Sequence, residues 1–165
     1  MGRSRSVLVF AVATALAGVS MGGVGRSAEP LAFPEGYRNW YHVKSLLLEE
    51  GHPLYASFGG LHHVYANEKA VEGYRAGKFP DGSMIVFDLF EVKREGGAVA
   101  ESERKVLAIM VKDSQRFAET GGWGFEGFAK GDPEQRVVGA NAKEACFACH
   151  ASEAAHDYVF SRMRP

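Results

Sequence analysis

The chain has 165 residues, which suits one domain and leaves little room for two. Hydrophobic residues make up 46% and charged residues 24%, the balance of an ordinary globular protein. The formal net charge is −1, with no basic block to suggest nucleic acid and no acidic tail to suggest disorder.

Residues 1–28 read as a secretory signal peptide. Arg3 and Arg5 form the positive n-region, and Val7 to Val19 is an apolar run too short to span a bilayer comfortably. Small residues follow at Ser20, Gly22, Gly23, Gly25, Ser27 and Ala28, which places cleavage between Gly22 and Ala28. Arg26 interrupts the usual small-x-small pattern, and an uncleaved membrane anchor is the alternative reading. Removal of this segment takes away three arginines and no acids, leaving residues 29–165 as a single domain of net charge −4. The leader implies export to the periplasm.

In chain order, Leu31 to Tyr37 is a lead-in segment punctuated by Pro34 and Gly36. Tyr37, Trp40, Tyr41, Leu47 and Leu48 fall near a 3.6-residue period and predict a helix from Tyr37 to Glu50, stopped by Gly51-His52-Pro53. Pro53 to Gly60 reads as irregular, and Leu61 to Ala66 as a strand. Asn67 caps a predicted helix, Glu68 to Ala76, that ends at Gly77. Phe79-Pro80-Asp81-Gly82 is a turn, with Pro presetting φ and Gly supplying φ > 0. Ser83 to Lys93 is rich in branched and aromatic residues and predicts a strand, as does the apolar run of Arg104 to Lys112. The polar stretch Arg94 to Glu103 reads as their connection. Asp113 to Thr120 predicts one or two helical turns capped by Asp113, and Trp123 to Ala129 predicts a strand. Lys130 to Ala140 reads as a loop before a last helix, with Asn141 as N-cap and Glu144 in capping-box spacing. The two long neighbouring strands favour a hairpin and an antiparallel sheet, so the fold class is α+β.

The last helix carries Cys146-Phe147-Ala148-Cys149-His150, a C-x-x-C-H motif. On a helix these three residues share one face, so two thiols can form thioethers to one porphyrin while the next imidazole lies under its iron. The motif is the attachment signature of a c-type haem, one per chain, with His150 as the axial metal ligand. A thioredoxin-type dithiol would open a helix after an early strand, and this pair lies at the far end of the chain. Zinc needs four ligands, and the chain has no other cysteine. A disulfide would compete with haem for the same two thiols.

The second axial position decides function. Met84, Met110, Met163, His42, His52, His62, His63 and His156 are candidate sixth ligands. His62 and His63 are adjacent on a predicted strand and face opposite sides, so at most one could meet the iron.

Several motifs together resemble the cytochrome P-460 family. They are Tyr37-Arg38-x-Trp40, His63-Val64-Tyr65, Phe79-Pro80-Asp81-Gly82-Ser83, Val111-Lys112-Asp113-Ser114-x-Arg116-Phe117-Ala118, Gly122-Trp123-x-Phe125, the C-x-x-C-H motif and Asp157-x-Val159-Phe160-x-Arg162. The match runs from about Pro34 to Arg162 and implies a mainly antiparallel sheet with flanking helices, a five-coordinate haem on the C-terminal helix and a homodimer. Hydroxylamine-oxidising members carry a lysine, cross-linked to the porphyrin, where this chain has Phe87. Lys93 is six residues on, roughly 20 Å along a strand, too far to replace it. His62 stands where the family carries a distal arginine.

Absence of the lysine is similar to the cytochrome c′-beta branch, whose distal pocket is capped by phenylalanines. That likeness assigns Phe87 as one cap and Phe58 as the other. It implies an NO- and CO-binding cytochrome, serving in NO buffering or carriage and in electron transfer to an unknown redox partner, with no catalytic residues. The alternatives are a P-460-like hydroxylamine or NO oxidoreductase and a six-coordinate electron carrier. Arg162 and Arg164 follow the haem helix, with a surface role as the default reading.

Overall fold

Segments dense in β-branched and aromatic side chains pair as one antiparallel sheet of five strands, in chain order. The strands are β1 (Tyr41–Leu48), β2 (Gly60–Ala66), β3 (Met84–Glu95), β4 (Ala98–Lys112) and β5 (Trp123–Ala129). The structure is a computed structural model that describes residues 29–164. The signal-peptide segment therefore lies outside the described residues. The α+β class read from the sequence holds: the sheet carries a one-turn helix α1 (Tyr55–Phe58), helix α2 (Glu68–Ala76) and a C-terminal helical run.

Helix α2 is built as its sequence predicts. The Asn67 side chain accepts from the Ala70 amide at 2.9 Å, and Gly77 closes the helix at φ 75°. Asn67 Oδ1 also accepts from the Met84 amide at 3.0 Å, so the cap fastens the helix to the start of β3.

Three expectations before the C-terminal run need correction. The segment Tyr37–Glu50 is not a helix: a 3₁₀ turn (Tyr37–Asn39) leads directly into β1. Cross-strand pairing with β2 overrides the apolar spacing, and a bulge between His42 and Lys44 shifts the register so that Val43 reaches the core. The span Pro53–Gly60 holds α1 before β2 begins at Gly60. Gly60 has φ 125°, and a Cβ there would sit 2.2 Å from the Phe90 carbonyl, so only glycine lets β2 approach β3 so closely. Third, the connection Arg94–Glu103 is mostly strand. Glu95 pairs with Ala98 around a two-residue turn in which Gly96 and Gly97 both have positive φ, the geometry that suits a tight hairpin.

The sheet buries both faces. On one, Val43, Val64, Ala66, Ile85, Met110 and Phe125 form a core with Phe79, Trp123 and Val159. On the other, Val86, Leu107, Ile109 and Phe128 pack with Leu31 and Tyr37. That second face also carries Asp88, fully enclosed and held by Tyr37 Oη at 2.6 Å and Arg104 Nε at 2.6 Å.

The C-terminal run starts differently from its prediction. Asn141 belongs to a 3₁₀ turn (Gly139–Asn141), and no side-chain cap bond is made there. A π turn (Lys143–Phe147) leads into a short helix α3 (Ala148–His150) and a 3₁₀ segment (Ala151–His156). Asp157 and Tyr158 then take φ 51° and 66°, ending the helix. The Asp157 carboxylate accepts from Lys112 Nζ at 2.7 Å and from the Phe79 amide at 2.8 Å, while Trp123 Nε1 donates to its carbonyl at 2.8 Å. Lys112 and Asp157 are 7% and 12% exposed, so this ion pair staples the helix end to β4 away from water.

Candidate haem site

The helix-ending turn at Asp157 and Tyr158 points a backbone carbonyl at His150. His150 Nδ1 lies 2.7 Å from the Tyr158 carbonyl, which can only accept, so Nδ1 carries the proton. Phe125 and Phe160 flank the imidazole with ring centroids at 4.9 Å, the latter edge-on. Burial, opposed by the Tyr158 bond and the Glu153 charge, lowers the His150 pKa, so the ring is neutral at pH 7. A neutral, immobilised imidazole with a free Nε2 lone pair is what an axial metal ligand requires.

The cysteines are both free. Cys146 is half-buried against the Phe125 core, and burial, then Glu126 and Cys149, pushes its thiol up to about 11. A redox dithiol needs a depressed pKa instead. Cys149 is exposed. Among the described residues no three His, Cys, Asp or Glu side chains converge as a metal site. Two thiols and one neutral imidazole within five residues fit a haem, the thiols to attach it and His150 to ligate its iron.

β2 and β3 contribute an aromatic wall to the sheet face that packs the C-terminal run. Phe87 pairs across with Val64 on β2 and with Ala108 on β4, and Ala108 pairs with Gly127 on β5. By strand alternation this row lies on the same face as the Ile85–Met110–Phe125 row, one step along. Phe87 is half-buried and packs on the core that also takes Cys146 and Phe147. Phe58, at the end of α1, is 42% exposed and meets Phe87 edge-on at 5.9 Å. The two phenylalanines assigned from the resemblance thus touch each other. Lys105 Nζ donates to the Gly59 carbonyl at 2.9 Å and tethers the loop behind Phe58.

His62 joins this wall, with its ring 4.7 Å from Phe87. It is 6% exposed, and its Nδ1 is enclosed with no partner. Burial first, then the nearby charges of Lys44 and His63, push it down to about 4, so it is neutral at pH 7. Lys44 pairs with Val64, which puts a lysine on this face that sequence reading had not singled out.

Among the other sixth-ligand candidates, Met110 shares the Phe87 face, packed in the core beside Phe125. His63 faces the opposite side, as alternation predicts: its Nδ1 is 2.6 Å from Ser45 Oγ and its Nε2 2.9 Å from Glu101. His42 is 2.9 Å from the same Ser45 hydroxyl. His52 Nδ1 accepts from the Leu54 amide at 3.1 Å, and His156 lies 3.5 Å from Glu153. Met84 alternates to the face away from Phe87. Met163 is half-buried beyond the helix. Arg162 donates to Glu153 at 2.7 Å and to the Val159 carbonyl, and Arg164 is exposed, so both take surface roles. Tyr158, Phe125, Phe160 and the Lys112–Asp157 pair were missed as site-forming residues. Phe125, Phe160, Lys112 and Asp157 left a trace only in the motifs shared with the family, and Tyr158 left none, falling on an unspecified position of its motif.

An immobilised imidazole with two free thiols within the same five residues marks a haem-binding protein. The model of the family described as Cytochrome P460 matches residues 34–161, so the chain belongs to the cytochrome P460 family and is a haem cytochrome. No curated protein matches the chain.

Proposed function

We propose that the mature protein is an exported, periplasmic mono-haem cytochrome of the c′-beta type that binds NO and CO. In this reading Cys146 and Cys149 hold the haem through thioethers and His150 is its one protein axial ligand. A bound haem would supply a one-electron couple and an iron able to take a diatomic ligand, and Phe87 and Phe58 would line the ligand side. Their phenyl rings crowd out bulkier ligands and water, which favours small neutral gases. NO buffering or carriage follows, with electron transfer to a redox partner as a second activity.

The observation that carries the reading is the Phe58–Phe87 contact on the sheet face that packs the haem-bearing helix. A phenyl group cannot form the amine cross-link of the hydroxylamine-oxidising members. Lys93 cannot stand in for it, because it pairs with Glu95 at 2.5 Å on the exposed half of the hairpin. A homodimer belongs to the same proposal; the exposed Tyr41 and Leu46 on the edge strand β1 supply apolar surface for one.

Absorption spectra of the holoprotein, with a pyridine haemochrome, test it. We expect an ordinary c-type haemochrome, a high-spin ferric state, and ferrous NO and CO adducts. A red-shifted, cross-linked haem with hydroxylamine turnover would instead make it a P-460-like oxidoreductase. A low-spin ferric spectrum would make it a six-coordinate electron carrier.

A further inference from the structure

We propose that His62 is a hydrogen-bond donor in the wall beside Phe87, presenting Nε2–H to a ligand held on the open side of the haem, and is not itself an iron ligand. The inference rests on the gas-binding reading above and adds one polar contact to an otherwise aromatic wall.

His62 has one ring proton to place. A neutral imidazole has one N–H and one lone pair. Of the two ring nitrogens of His62, only Nδ1 is both enclosed and unpartnered. Enclosed N–H groups without an acceptor are rarer in folded proteins than unsatisfied acceptors, so the proton belongs on Nε2. Nε2 makes no hydrogen bond among the described residues, yet it is not one of the fully enclosed unpartnered atoms. The ring lies 4.7 Å from Phe87, and His62 shares its sheet face with Val64 and Phe87. Burial, the largest influence, keeps the ring neutral at pH 7.

That proton placement excludes ligation. To bind iron through Nε2, His62 would have to move its proton to Nδ1 and leave it buried with no acceptor. His150 shows the opposite construction: its Nδ1–H is paired with the Tyr158 carbonyl at 2.7 Å and its Nε2 is free of a proton. The two histidines are complementary, one prepared to ligate and the other to donate.

The probe is CO on the reduced holoprotein, a diamagnetic state suited to NMR. Nitrogen-15 spectra should show His62 protonated at Nε2. In the infrared, His62→Leu should move the C–O stretch to higher wavenumber, because a positive dipole near the ligand oxygen is lost, and His62→Gln, which keeps an N–H donor, should restore much of the shift. If CO binds but His62 is protonated at Nδ1, or the stretch is the same in His62→Leu, the donor role is overturned while gas binding stands. If His62→Leu does not retain haem, the wild-type tautomer decides. If the ferric wild type is low-spin and becomes high-spin in His62→Leu, or CO does not bind at all, the open-site reading falls and the donor role with it.

Discussion

Phe87 and His62 lie side by side on neighbouring strands, and their chemistry separates two effects on a bound ligand. Phe87 contributes bulk. Phe87→Ala should open the wall and raise the CO association rate of the reduced holoprotein several-fold; an unchanged rate in flash photolysis would remove Phe87 from the path. His62 contributes polarity and a pH dependence. Its folded pKa is about 4 against an ordinary 6.5. Between those values the unfolded chain takes up a proton that the folded chain refuses, so stability present above pH 6.5 is lost as pH falls toward 4. Thermal melts of the holoprotein should show this decline, and His62→Leu should flatten it. Equal slopes in both proteins would contradict the burial argument.

Among the elements, those that could be read from the sequence were decided locally. The strand at Ser83–Lys93 is dense in branched and aromatic residues, and α2 has its own cap and its own terminal glycine. The C-x-x-C-H anchor was equally legible, because three chemically distinctive residues sit within five positions. Elements set by distant partners were not. The segment Tyr41–Leu48 has helix-like apolar spacing, yet pairing with β2 and one bulge send Val43 and Leu48 to the interior while Ser45 meets His63. The outer hairpin, Arg94 to Glu103, reads as a loop because it has no buried side chains to produce an alternating pattern. The acceptor for His150 was invisible for a related reason: it is a main-chain carbonyl, placed by positive φ at Asp157 and Tyr158, two residues other than glycine. That turn depends on the Lys112–Asp157 pair. Asp157→Asn would leave Lys112 buried without its counter-charge and should cost about 3 kcal/mol in urea unfolding of the holoprotein. A loss under about 1 kcal/mol would mean that the pair is screened like a surface bridge.

At the scale of the molecule, one sheet serves two purposes. One face is closed by Asp88 with Tyr37 and Arg104, a polar cluster bonded across β3, β4 and the lead-in turn. The other face accepts the C-terminal run and carries the contacting Phe87, Phe58 and His62 side chains. The central claim is that Cys146 and Cys149 bind the haem covalently beside His150. Intact mass spectrometry of the exported protein under denaturing, reducing conditions tests it most directly. A polypeptide of residues 29–165, give or take the cleavage site, that still carries the mass of one haem is the predicted result. A chain that appears at its bare polypeptide mass, with the haem released, would contradict it.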